Sequence, residues 1–222
     1  MPLVDSNQAS LWDGSSDLSL YRAWVNNLPV GYQRMADGSS PFIGNDAKAL
    51  IAALESRGLL KTHRLVLIGA GFGFVHDEFL AAGYGPTADG TANGKLLSVD
   101  TSTYIQANLN GNARVPILNA DVNAATGRRT VRQQFGSNNA AVDWIVTEDV
   151  LGTLIGAGPT PGGNNEIVPL CQNLRTFTAN VAHWISPLTA SSDPRLNWKA
   201  MSEWKAWVAP DLVIQRGTSA VL

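Results

Sequence analysis

Hydrophobic and polar positions follow two rhythms along the chain. Leu50, Ile51 and Leu54 recur at helical spacing in a segment that Asn45-Asp46 can cap and Gly58 can stop, which predicts a helix over Ala47–Arg57. Leu65–Ile68 is instead an unbroken apolar run, the pattern of a strand buried on both faces, and it leads straight into Gly69, Gly71 and Gly73. His76–Ala82 can continue as a helix. The succession then repeats: a strand at Lys95–Val99 ends at Asp100, a helix is predicted over Thr101–Leu109, and a strand at Val115–Leu118 ends at Asn119-Ala120-Asp121. Val142–Val146 is a fourth strand running into Thr147-Glu148-Asp149, followed by a helix near Val168–Thr178 and a fifth strand at Val181–Ile185. Asp193-Pro194 opens a last helix with Met201, Trp204, Trp207 and Val208 on one side; Pro210 closes it before a strand at Leu212–Gln215.

Between these elements, Gly83–Lys95 and Gly152–Gly163 lack any period and read as loops. The polar stretch Gly127–Asn139, with Arg128, Arg129 and Arg132, reads as a solvated face or a contact patch. Residues 1–44 form a polar lead-in with islands of aromatics, expected to pack on a single main domain over 45–222. Within it, Leu20, Trp24 and Leu28 repeat at helical spacing. Strand alternating with helix from Arg64 onward predicts an α/β, Rossmann-like fold: a mostly parallel twisted sheet with helices on both faces.

Composition changes this picture little. At 222 residues, with 45% hydrophobic residues and a formal net charge of −2, the chain is a globular domain with no electrostatic reason to seek nucleic acid or anionic lipid. One cysteine, Cys171, excludes an internal disulfide, and His63, His76 and His183 lack zinc-ligand spacing, so no metal site is expected. The opening MPLVDSNQAS has no basic stretch followed by an apolar core, and no apolar run approaches the ~20 residues that span a bilayer. The chain is read as cytoplasmic, with a homo-oligomer left open.

Ligands of such sheets collect at the carboxyl ends of the strands. Those ends carry Gly69, Ala70, Gly71 and Gly73, then Asp100, Asp121 and Glu148. A dinucleotide fingerprint would need its third glycine at position 74, where Phe74 stands. The GxGxG spacing ending at Gly73 resembles the first motif of class I S-adenosylmethionine-dependent methyltransferases. With S-adenosylmethionine as cofactor, the glycines admit its methionine part against bare backbone. Asp100 can accept both ribose hydroxyls and Asp121 the adenine amino group. A helix cap or loop residue is the competing role for each acid.

Two further segments narrow the resemblance. VDWIVTEDVLGTLIG (Val142–Gly156) is similar to the segment of protein arginine methyltransferases in which a strand ends in Ser-Glu before a small apolar run. NNEIVPLC (Asn164–Cys171) resembles the run at the second glutamate in the branch that makes symmetric dimethylarginine. The likeness covers roughly Arg64 to Pro187, the cofactor-binding half of such enzymes. It implies that Glu148 and Glu166 are catalytic, clamping a guanidinium whose planar fork of donors carboxylates match. Methyl transfer would then rest on positioning and electrostatics, with a protein or small-molecule acceptor.

Departures from the pattern are specific. Gly156–Gly163 lengthens the span between the two glutamates, Asp149 follows Glu148 directly, Asp100 stands where the family has Glu, and Phe72 where the branch commonly has Arg. Residues 188–222 are too few for the family's C-terminal β-barrel, so an enzyme of the usual build is not expected. The alternative is an inactive methyltransferase-fold protein with a structural or interaction role. A nicotinamide-dependent oxidoreductase is disfavoured by Phe74 and by the lack of an evident catalytic His or Lys-Tyr pair.

Overall fold

The computed structural model describes residues 41–69, 74–85, 96–101, 117–148, 150–153, 167–185 and 201–215. In chain order the described elements are α1 (Pro41–Ser56), β1 (Leu65–Ile68), α2 (Phe74–Ala81), β2 (Leu96–Asp100), β3 (Ile117–Asn119), α3 (Ala125–Gln133), β4 (Trp144–Glu148), α4 (Val150–Thr153), α5 (Ile167–Arg175), β5 (Val181–Ile185), α6 (Met201–Val208) and β6 (Leu212–Gln215). The strands form one sheet in the order β3-β2-β1-β4-β5-β6, and every pairing is parallel. This is the doubly wound Rossmann-like order: the chain steps outward from β1 to β3, then returns to β4 on the other side of β1. The switch point lies between β1 and β4.

Side chains alternate across the sheet, and two apolar layers result. On one face Leu65 and Leu67 of β1, Trp144 and Val146 of β4, and Trp184 of β5 pack under α1 and α2 through Leu50, Leu54 and Phe79. On the other, Val66, Ile68, Val99, Ile145 and Val213 meet α3, α5 and α6 through Val131, Leu170, Leu174, Trp204 and Val208. Both faces of β1 are thereby covered, which is why its sequence shows no polar alternation.

β1, β5 and β6 have the bounds their sequence pattern predicts. β2 and β3 end one residue later than predicted and β4 two, so that Asp100, Asn119 and Glu148 belong to the strands; α2 and α5 are shifted by one to three residues, and α4 was not expected. Two elements differ more. α1 begins at Pro41, six residues before the predicted start and across the boundary expected for the lead-in; a proline is well suited to a first helical turn, where its missing N–H has no partner to lose. α3 forms where only a polar, basic stretch was read. Its apolar anchorage is slight, with Gly127 and Val131 its buried residues, so the period is hard to see. Two of its arginines are internal ties rather than a contact patch. Arg128 Nη1 donates to Val122 O (3.0 Å) and Asn123 O (2.6 Å), and Arg132 Nη2 donates to Thr176 O (2.7 Å) with its guanidinium over the Phe177 ring. Residues 1–40, most of the helix expected over Thr101–Leu109 and the opening at Asp193-Pro194 lie outside the described residues.

One polar group is set into the α5/α6 side of the core. His183, fully buried in the middle of β5, contacts Thr147 Oγ1 through Nδ1 (2.8 Å) and Asp211 Oδ2 through Nε2 (3.1 Å). Cys171 Sγ lies 3.7 Å from the same Nε2. Arg175 Nε donates to Asp211 Oδ1 (2.7 Å), and its Nη2 donates to Val208 O and Ala209 O, which fixes the turn from α6 to β6. Burial works against the Asp211 carboxylate, but hydrogen bonds and charge from His183 and Arg175 outweigh it and hold the carboxyl below its ordinary range. Because the folded value lies below the unfolded one of about 3.9, this stabilisation is full above that pH and is lost as pH falls through the folded value. Asp211→Asn should therefore cost about 3 kcal/mol near neutrality and flatten the acid limb of the stability curve. Urea unfolding at a series of pH values checks this; an unchanged acid slope would show that another carboxyl carries it.

Candidate functional site

β1 delivers the chain to its glycine loop at Gly69, whose N–H donates to Val99 O (2.9 Å) and so extends the β1–β2 ladder by one step. Gly69 takes φ +80°, a conformation side chains rarely adopt. A Cβ there would strike Val150 Cγ2 and lie 3.0 Å from Glu148 O. Within the fold, Gly69 is therefore required by the close approach of the end of β4, at Glu148, and the start of α4, at Val150. The loop residues Ala70, Gly71 and Gly73, expected at the cofactor, lie outside the described residues, as does the second expected catalytic acid, Glu166.

The remaining acids fall on adjacent strands. Asp100 is the last residue of β2, and it stands opposite Asn119 in the ladder. Asp121 follows β3, and Glu148 ends β4 opposite Trp184. Read along the sheet in the order β3-β2-β1-β4, the carboxyl edge presents Asp121, Asp100, Gly69 and Glu148 on four consecutive strands. With strands about 4.8 Å apart, this series is on the order of 14 Å long, with Gly69 and Glu148 flanking the switch point. All three acids are half-buried, and Glu148 Oε1 is shielded from solvent.

Local hydrogen bonds hold this edge in shape. Asn119 Nδ2 donates to Thr101 O (2.9 Å) and Asp100 O (3.4 Å), and Ala120 N donates to Asp100 O (3.2 Å), so the ends of β2 and β3 are tied together. Asp121 Oδ1 accepts from Asn123 N (2.8 Å), an Asx turn that leads into α3. That bond occupies one carboxylate oxygen and leaves the second for other donors. Gly127, in the first turn of α3, admits the Asp121 backbone so closely that any Cβ would strike Asp121 O and stand 2.6 Å from its carbonyl carbon. Asn119 and Gly127 were not singled out from sequence. The signal for both is the Asn-x-Asp-x-Asn turn at 119–123 followed by a glycine inside a polar segment.

Chemically the edge is acceptor-rich, with three carboxylates at strand ends that flank Gly69. It suits a ligand that presents hydroxyl and amino donors on one side and a cationic group on the other. Among the described residues, no helix is long and apolar enough to cross a membrane.

No family model and no curated protein matches the chain. Solved structures similar to it include the plantazolicin methyltransferase BpumL in complex with a triazolic desmethylPZN analogue and SAH, at 15% identity and a TM-score of 0.46, covering 78% of this chain and 53% of that one. A protein described as a Zn-dependent alcohol dehydrogenase from Rhodobacter sphaeroides is similar at 12% identity and a TM-score of 0.44, with the same coverages. A short-chain glucose/ribitol dehydrogenase from Brucella melitensis is similar at 16% identity and 0.36, covering 60% of this chain and 62% of that one. The chain thus spans about half the length of the first two. At such identities and TM-scores these likenesses carry no argument about ligand or chemistry; the strand order and register carry the fold.

Gly69→Ala should destabilise the protein by about 2 kcal/mol or more, since it combines a disfavoured φ with a collision at the β4–α4 turn. Gly58, also at positive φ but with nothing near its missing Cβ, should lose less on the same substitution. Paired urea titrations of the two variants check the order; equal losses would mean that the contact above Gly69 is inconsequential.

Proposed function

We propose that the chain is an S-adenosylmethionine-dependent methyltransferase that transfers methyl to a nitrogen acceptor, with protein arginine as the leading acceptor class. The observation that carries the reading is the run of strand ends Asp121, Asp100, Gly69 and Glu148 on four consecutive strands across the switch point. The donor set fits the cofactor's nucleoside. Ribose hydroxyls and an adenine amino group are donors, and Asp100 and the second oxygen of Asp121 are acceptors at successive strand ends. The cofactor supplies an electrophilic methyl group.

The chain's own contribution is positioning. Glu148 lies on the far side of β1 from the two nucleoside acids, where an acceptor would meet the reactive end of a ligand laid along the edge. A half-buried carboxylate there holds a guanidinium by paired hydrogen bonds and orients one nitrogen for in-line displacement. By the resemblance of NNEIVPLC, Glu166 is the second arm of the clamp.

The β3-β2-β1-β4-β5-β6 order also serves dinucleotides. Calorimetric titration should therefore run S-adenosylmethionine and NAD side by side. Binding of the former alone, below about millimolar, is expected; binding of NAD alone would overturn the reading. Radiolabelled methyl should then pass to a protein lysate or an arginine peptide, whereas binding without transfer would mark an inactive protein of this fold. In the active case Glu148→Gln should lower transfer by about 100-fold or more while leaving cofactor affinity within a few-fold. A large loss of cofactor affinity instead would assign Glu148 to the cofactor.

A further inference from the structure

The polar group inside the α5/α6 core has a geometry that its hydrogen bonds alone do not require. A nucleophilic Cys-His-Asp relay places its cysteine and its carboxylate on opposite ring nitrogens, so that a proton passes through the imidazole. Here both face the same nitrogen. Cys171 Sγ lies 3.7 Å and Asp211 Oδ2 3.1 Å from His183 Nε2, and Nδ1 is held by Thr147. Three donors of different softness converge on one point, with their ligand atoms all within 4.8 Å of one another.

We propose that Cys171, His183 and Asp211 form a site for a single divalent transition-metal ion of the zinc class. Tetrahedral zinc, with Zn–S of about 2.3 Å and Zn–N and Zn–O of about 2.0–2.2 Å, separates sulfur from nitrogen by about 3.6 Å and nitrogen from oxygen by about 3.3 Å. The observed 3.7 and 3.1 Å edges are close to those values. Thiolate with imidazole selects zinc or cobalt over magnesium or calcium.

Two of the three ligands are also aimed by a partner outside the site, as metal ligands are. Thr147 Oγ1 takes His183 Nδ1, which leaves Nε2 toward the other donors. Arg175 Nε occupies Asp211 Oδ1, which leaves Oδ2 facing inward. The ligands stand on rigid elements: Cys171 in α5, His183 in β5, and Asp211 immediately before β6. Asp211 also lines a groove of about 410 Å³ with Arg57, Trp144, Asn180, Lys205 and Pro210. Three protein ligands leave a fourth position for a water or another small ligand.

The balance of the binding step is simple. Burial pushes the Cys171 thiol up to about 12, so the metal-free protein carries Cys171 as S–H. Binding breaks that S–H bond, forms the metal–sulfur bond and releases one proton to solvent. With a metal on Nε2 the ring keeps its proton on Nδ1, facing Thr147 Oγ1, and any proton displaced from Nε2 leaves to solvent with that of the thiol, while Asp211 binds as the carboxylate. No oxidant or reductant is involved.

Cys171 is the single cysteine of the chain, so any thiolate-to-metal charge-transfer band reports on this site alone. The 222-residue chain without a tag, stripped with chelator, should bind one equivalent of Co²⁺ with a sulfur-to-cobalt charge-transfer absorption, and Zn²⁺ should displace it. Absence of that band with the folded wild-type protein overturns the proposal, whatever the variants do. Thr147→Val keeps the shape of the side chain and removes the hydroxyl behind His183; it should weaken Zn²⁺ binding by about 10–100-fold. His63→Ala, outside the cluster, should leave binding unchanged. Unaltered affinity in Thr147→Val, or retention of one tight Zn²⁺ in Cys171→Ser, would place the ion elsewhere. None of these readouts depends on methyl transfer or on S-adenosylmethionine.

Discussion

β1 sets the terms for the rest of the molecule. A strand covered on both faces and paired on both edges has no contact with water through which to satisfy its backbone, so each of its peptide groups depends on a neighbouring strand. Leu65–Ile68 pairs in register with Leu96–Val99 on one side and with Trp144–Thr147 on the other. Those two ladders fix how far each neighbour reaches. Asp100 stops one residue beyond the partner of Ile68 on β2, and Glu148 one residue beyond its partner on β4. The two carboxylates thus arrive at the same level as Gly69 through backbone pairing alone.

Much of this is legible in the amino-acid sequence. Apolar runs such as LVLI, and VAHWI with its single histidine, have one plausible home in an alternating α/β chain, and β1, β5 and β6 have the bounds the pattern gives them. The acids at the strand ends were legible for the same reason, because a parallel sheet puts all its carboxyl termini on one edge. Strand order was not. Sequence alternation cannot say that β4 returns beside β1, and it is this return that sets Glu148 across from Asp100 and Asp121.

Other features were hidden because they depend on contacts between distant segments. α3 buries Val131 and Gly127 and otherwise shows solvent a basic, polar surface, so its helical period is faint. Gly69 was read as making room for a ligand, yet what fills the space of its missing side chain is the chain itself, at Val150 and Glu148. The histidines, read by spacing, suggested no constellation. His183 meets Cys171 and Asp211 only because α5, β5 and the turn before β6 fold against one another. The apolar layer there could have been closed with hydrocarbon side chains, as the layer on the α1/α2 face largely is.

The ends of the sheet bear on how copies of this chain can meet. Within the described residues β3 and β6 are the outermost strands, and they offer three and four residues. Such short borders give a visiting strand few backbone groups to pair with, a common guard against sheet-to-sheet polymerisation. Through the described residues, two molecules meeting edge to edge would share only a short ladder, and side chains on the helical layers would have to supply the rest of the contact.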